Sequence, residues 1–371
     1  MKAERSEVID LFKACACVLI VWHHLALYGP MSDVVALQVP GLMRFLFDHG
    51  PLAVQVFLVV AGYLSAKSWA KGLAQADFKF FQRLWGRYLR LGLPLLAALS
   101  FAVLVTAIVR PFFEHASLSA PPQPLQVLAH MLLLQDVLQL EAFSAGVWYV
   151  AIDFQLFALA LSCAVGAHRW QGLSGRGTVM QKALLLWSVL TLASLFVWNR
   201  QASLDMWAIY FFGAYGLGLC VGAWRSAKLN LSDWHLPVLL TLVGLAAWFY
   251  EPRIRLVIAL LTAILLALYE LNEGRHMAWL QSKLLQYLSD ASYTIFLMHF
   301  GVSLLWSAAL WNLWPDHFWA NAMGMLISFA VSIAMGGWLH AWIENKSPSW
   351  QGLLQWAATF VASCTAVMLM T

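Results

Sequence analysis

The sequence predicts an all-α protein, a transmembrane helix bundle that crosses a lipid bilayer ten or eleven times with its N-terminus in the cytoplasm. Three observations carry this. Hydrophobic residues make up 62% of the 371 and charged residues 11%, with a mean hydropathy of +0.72, whereas a soluble chain carries about a quarter charged residues. The apolar runs are continuous rather than alternating, and a hydrocarbon core of about 30 Å takes roughly 20 such residues per helix. Backbone groups in hydrocarbon must be bonded internally, so spans are helices or closed barrels, and continuous runs select helices. Finally, the cations segregate. Of 22 Lys and Arg, only Arg44, Arg110, Arg200, Arg253 and Arg255 fall in the loops assigned to the outside, and Lys13 lies within the first span. The rest, including Lys2, Arg5 and Arg275, fall inside, and that excess sets the orientation.

The spans in order are 8–29, 50–69, 91–110, 145–166, 183–199, 206–224, 236–250, 254–272, 285–311, 319–343 and 352–370. Together they leave no room for a soluble domain: residues 1–371 read as one membrane domain, with core motifs in 8–346 and an additional C-terminal span at 352–370. The 20 Trp suit the membrane–water interface. The first span carries Lys13, His23 and His24 and lacks a small-residue cleavage site, so it is expected to be retained. All five cysteines lie in apolar spans and form no disulfide or metal-ligand pattern. Three polar excursions stand out: an outer loop at 30–49, a basic inner segment from Lys67 to Arg90, and an outer segment at 111–144. Within the last, residues 125–138 are apolar but too short to cross, and are expected to lie along the interface or re-enter. Pro94 suits the first turn of the third span.

Ionisable groups inside a bilayer are costly and mark functional cavities. The first span places Lys13 and His24 eleven residues apart, three helical turns, so they share a face roughly 16 Å apart along the axis. His23 points about 100° away. Asp10 sits one turn before Lys13 and is placed to pair with it. Asp153 lies in the fourth span with Gln155 two residues on, and a buried carboxylate beside an imidazole would hold His24 in the tautomer a general base needs. Arg83, Arg87 and Arg90 form one helical stripe, either anchors to anionic lipid or a grip for a donor's phosphates. His299 lies in the ninth span behind Ser289, Ser292 and Tyr293, and His340 and Glu344 make a simple i, i+4 pair at an inner helix end. Adjacent His23 and His24 cannot both face one metal, so no metal site is expected.

The order of these motifs resembles the acyltransferase-three family of bacterial integral-membrane O-acyltransferases. Asp10-Leu-Phe-Lys13 with His24 matches the family's first-helix motif, and Val56-Phe57-Leu58-Val59-Val60-Ala61-Gly62-Tyr63 is similar to its second. Arg87-Tyr-Leu-Arg90 running into Pro94 follows, then Trp148, Asp153, Gln155 and Phe157, then Ser292-Tyr293-Thr-Ile-Phe296-Leu297-Met298-His299. Lys13 stands where the family has Arg, Asp153 where it has Glu, and Ala61 where it has Ser. The resemblance implies transfer of an acyl group, usually acetyl, from cytoplasmic acyl-CoA to a hydroxyl of a carbohydrate at the outer face, such as lipopolysaccharide or exopolysaccharide. It implies an inner (plasma) membrane location, acyl-CoA as a co-substrate with no bound cofactor, and no nucleic-acid partner. On this reading His24 and Asp153 are catalytic, and Lys13, Arg83, Arg87 and Arg90 bind the donor. Asp10, Trp148, Gln155, Ser292, Tyr293 and His299 are supporting, with Tyr293 and His299 candidates to stabilise the oxyanion.

Two other classes compete. A transporter or flippase would use the same buried Lys, His and Asp for proton or substrate passage, but no inverted repeat or paired Gly/Pro-broken helices are visible. A lipid-linked sugar transferase would show an acidic cluster in an outer loop, and Asp33, Asp48, Glu114 and Glu141 are scattered.

Overall fold

The described residues form fifteen α-helices: α1 (Glu7–Leu27), α2 (Pro30–Gln38), α3 (Pro40–His49), α4 (Ala53–Trp69), α5 (Phe80–Val109), α6 (Pro124–Met131), α7 (Val147–Ser174), α8 (Val179–Phe196), α9 (Ala208–Trp224), α10 (His235–Tyr250), α11 (Ile254–Leu271), α12 (Lys283–Asp290), α13 (Ser292–Leu313), α14 (Phe318–Leu339) and α15 (Trp350–Met370). A computed structural model describes residues 6–73, 78–229, 231–272 and 280–370, and no strand occurs among them. Lys2, Arg5 and Arg275 of the charge count, and 74–77 of the basic segment, lie outside the described residues.

Among the described residues nine helical segments are long and apolar enough to cross a membrane: α1, α3 running into α4, α5, α7, α8, α11, α13, α14 and α15. Two further expected spans, 206–224 and 236–250, are α9 and α10, of 17 and 16 residues. The expected extra C-terminal span is a 21-residue helix, α15.

Local chemistry sets the helix starts. Pro30 and Pro40 open α2 and α3, where a missing N–H costs nothing. A capping box of Thr178 with Gln181 opens α8, and one of Gln123 with Gln126 opens α6. Pro94 is a correction. It lies inside α5, which begins at Phe80 and takes the end of the basic segment and most of the third span into one 30-residue helix. The continuous apolar run on both sides outweighs the single backbone hydrogen bond that proline removes.

The chain divides into two compact units. The first takes in the start of α1 as far as Lys13, Val54–Arg87 and Ile152–Ser282. Here α4 and α9 meet backbone to backbone. A Cβ on Gly62 would overlap the carbonyl oxygen of Tyr215, and one on Gly218 would overlap that of Val59. Membrane helices associate through such small-residue contacts because lipid gives no hydrophobic drive between them. The Trp187 indole on α8 donates to the Ala160 carbonyl of α7 at 3.0 Å.

The second unit takes in Ala14–Ala53, Tyr88–Ala151 and Lys283–Thr371. Its α13 packs closely on α14, and a Cβ on Gly336 would overlap the backbone of Ile295. A core of Val105, Val109, Phe113, Phe300, Leu304 and Ala308 joins α5 to α13. In the outer segment, α6 buries His130, whose Nδ1 donates to the Gln126 carbonyl at 2.8 Å and whose Nε2 accepts the Phe143 N–H at 3.2 Å. Phe143 in turn meets Phe360 of α15 edge-on. His340 and Glu344 pair at 3.0 Å in a π-helical turn that follows α14.

Two outcomes test this packing. Gly62→Ala should lower the thermal unfolding midpoint, costing about 1–3 kcal/mol as α4 and α9 are forced apart, whereas Gly86→Ala on α5, with open space around it, should be neutral or stabilising. Burial holds the His130 imidazole down at about 4, against 6.5 ordinarily. Its neutral form is therefore the folded form, and stability present above pH 6.5 falls as the pH drops toward 4. Half-buried Asp136, whose carboxyl is pushed up by desolvation, acts with the opposite sign. The comparison is accordingly wild type against His130→Asn, whose difference in unfolding midpoint should shrink on going from pH 7 to pH 4.5.

Candidate functional site

In the second unit, α1 and α13 each bring one histidine to a common buried position. Nδ1 of His24 lies 2.7 Å from Nε2 of His299, the rings nearly parallel at 14° with centroids 4.7 Å apart. Nδ1 of His299 lies 2.5 Å from the carbonyl oxygen of Phe296, one turn earlier on α13. That carbonyl assigns every proton in the chain. It can only accept, so Nδ1 of His299 donates, and the Nε2 of a neutral ring is left as acceptor. Nδ1 of His24 must then donate to it, and the lone pair of His24 stands on Nε2.

The surroundings hold this chain in place. Gly146, at φ +81°, leaves room for the Phe296 ring, which a Cβ there would overlap, and Tyr149 meets the same ring edge-on at 5.8 Å. Tyr28 lies over His24 at 5.6 Å and meets Phe300 edge-on. His23 faces elsewhere, as its angular offset requires, with Nδ1 donating to the Leu46 carbonyl of α3 at 3.1 Å.

Asp153 has a different partner from the one expected. Its carboxylate, buried in the first unit, forms an ion pair with Arg87, whose guanidinium also lies over Phe157 at 5.4 Å. His24 is thus bonded to His299 within the second unit, and Asp153 to Arg87 within the first. The reason is electrostatic: a buried carboxylate gains more from a guanidinium than from a neutral imidazole. Oδ1 of Asp153 and Nε2 of Gln155 are buried with no hydrogen-bond partner among the described residues.

The arginine stripe lies on one helix, α5, but its members meet different surroundings. Arg83 lies over the Phe78 ring at 4.5 Å, Arg87 is bound to Asp153, and Arg90 is exposed. Asp10 is buried and Lys13 half-buried on α1. Trp148 meets Tyr149 edge-on at 6.3 Å. Ser292 donates to the Ser289 carbonyl at 2.9 Å. Of the two oxyanion candidates, Tyr293 donates its O–H to the Leu91 carbonyl at 2.8 Å, and Nδ1 of His299 donates to the Phe296 carbonyl.

One network escaped the sequence reading. In the first unit Tyr63 of α4 donates to the Glu270 carboxylate of α11, and Nζ of Lys67 lies 2.8 Å from it. Tyr215 of α9 shares a 2.8 Å hydrogen bond with Ser65. Glu270 falls near the end of a span, where an acid reads as an interface residue. The available signal was Tyr63 itself, a polar ring closing the second-helix motif.

Residues 7–337 match the acyltransferase-three family, described as an acyltransferase domain. A stretch of 175 residues is 25% identical to the regulator of hypoxia-inducible factor 1 of Caenorhabditis elegans, covering 43% of this chain and 34% of that protein. The chain therefore matches about a third of that relative's length. No solved structure gives a match.

The ion pair yields a direct test. Removing one partner strands a buried charge, so Arg87→Ala should cost roughly 3 kcal/mol of stability. The double variant with Asp153→Ala should recover part of that loss, measured as unfolding midpoints across the four-protein cycle.

Proposed function

The chain belongs to the acyltransferase-three family, and on that premise we propose that it is a membrane O-acyltransferase moving an acyl group, acetyl in the simplest case, from cytoplasmic acyl-CoA to a hydroxyl of a cell-surface or exported carbohydrate. The observation that carries the reading is the hydrogen-bond chain from Phe296 through His299 to His24. It leaves one imidazole nitrogen, Nε2 of His24, basic and fixed in direction.

In the proposed reaction Nε2 of His24 takes the proton of the acceptor hydroxyl as its oxygen attacks the thioester carbonyl. The tetrahedral intermediate collapses, the C–S bond breaks, and the imidazolium returns its proton to the departing CoA sulfur. His299 does not touch the substrate in this scheme. It is a positioning residue that holds the tautomer of His24. Arg90, exposed on α5, is assigned to the donor's phosphates, with Arg83 as a second cation and Lys13 along the donor's path. Arg87 is assigned a structural task, the ion pair with Asp153. A bacterial inner membrane and a polysaccharide such as lipopolysaccharide or exopolysaccharide suit this chemistry, since the acceptor hydroxyl then lies beyond reach of soluble acyl-CoA enzymes.

The test is transfer of radiolabel from acetyl-CoA to a candidate polysaccharide by membranes carrying the protein. His24→Ala should lower the rate by about 10²–10⁴-fold, the usual contribution of a positioned general base. His299→Ala should lower it less, and the double variant should be no slower than His24→Ala, because the second histidine acts only through the first. Undiminished labelling by His24→Ala would overturn the mechanism, and proton flux without any labelling would favour a transporter.

A further inference from the structure

Cations are scarce on the side that the charge count assigns to the outside, yet three of the five there come together in the first unit. Arg200 follows α8, and Arg253 and Arg255 stand at the start of α11. Glu251 is the carboxylate between them: Nη1 of Arg200 lies 2.6 Å from its Oε2, and Nε of Arg253 lies 2.6 Å from its Oε1. Hydrogen bonds from Arg253 and Arg200 hold the Glu251 carboxyl below its ordinary range. The Asn199 carbonyl receives two more donors, Nη1 of Arg253 at 2.6 Å and Nη2 of Arg255 at 3.3 Å. Tyr rings lie under the outer two guanidinium groups, Tyr250 beneath Arg200 at 4.4 Å and Tyr210 beneath Arg255 at 4.9 Å.

This arrangement is incomplete as a closed structural network. Glu251 pairs with two of the three guanidinium groups, Arg200 and Arg253, and Arg255 forms no ion pair among the described residues. The Arg200 side chain is only 9% exposed, and its Nε is buried with no hydrogen-bond partner. Like charges crowded this closely repel one another unless an anion intervenes. A carboxylate ligand would be satisfied by one planar fork, whereas donors spread over several forks match a tetrahedral, multiply charged group.

We propose that this cluster is a binding site for a phosphate group, with Arg255 as its principal ligand and Arg253 and Arg200 supporting it. The phosphate can belong to a soluble phosphate ester or to a lipid headgroup. The proposal holds whether or not His24 transfers an acyl group.

The full chain, purified in neutral detergent, is titrated with inorganic pyrophosphate by calorimetry. In parallel it is placed in phosphatidylcholine nanodiscs with and without phosphatidylglycerol, and retained lipid is read by native mass spectrometry. Binding in detergent identifies a soluble phosphate as the source, and retention of phosphatidylglycerol without pyrophosphate binding identifies a headgroup. In whichever arm responds, Arg255→Gln should weaken binding about tenfold, the effect of one lost charge-assisted contact. Arg255→Lys should fall between it and wild type, and Arg44→Gln, another outer arginine, should leave binding unchanged. Absence of binding in both arms overturns the proposal. So does binding that survives Arg255→Gln but is lost in Arg90→Gln, which would place the phosphate with the inner cations.

Discussion

Hydrocarbon offers a polar group no partner, and every polar arrangement in this protein follows from that constraint. The helices satisfy their backbones internally, so the remaining problem is the side chains. Several buried ones are answered by another group of the chain: His24 by His299, Asp153 by Arg87, Tyr63 by Glu270. The glycine contacts belong to the same account. Lipid does not drive helices together, so α4 and α9 gain their cohesion from close backbone approach.

The two units solve the polar problem differently. The first uses opposite charges, in the Arg87–Asp153 pair and in Lys67 with Glu270. Such pairs hold elements in one arrangement, because losing either member strands the other. The second uses a neutral chain of rings ending on a backbone carbonyl, which fixes direction without adding charge. A neutral imidazole with a defined lone pair is what a general base must be before the reaction starts. A carboxylate beside it would instead invite the proton to settle there.

Much of the fold was legible in the sequence because bilayer thickness imposes a length and a composition on every span. The segments 206–224 and 236–250 were found despite their shortness, since hydropathy does not depend on where a helix frays. Pro94 was misread because proline signals a helix start by local preference, and a long apolar run overrides that preference. The site was legible as a set of residue types but not as partners. Helical spacing placed Lys13 and His24 on one face and turned His23 away from it. Spacing within one helix says nothing of which neighbour another helix presents, so His299 was ranked behind Asp153. Glu270 was passed over for a similar reason: an acid at a span's end looks solvated until the tyrosine that binds it is seen.

The carbonyl of Phe296 has one more consequence. It closes the histidine chain with an atom that takes no proton under physiological conditions, so the chain cannot act as a wire. A proton acquired on the far nitrogen of His24 cannot be handed on through His299 and out to solvent. In the proposed reaction its open route is therefore to the groups on the far side of that nitrogen, where the departing sulfur stands ready to receive it.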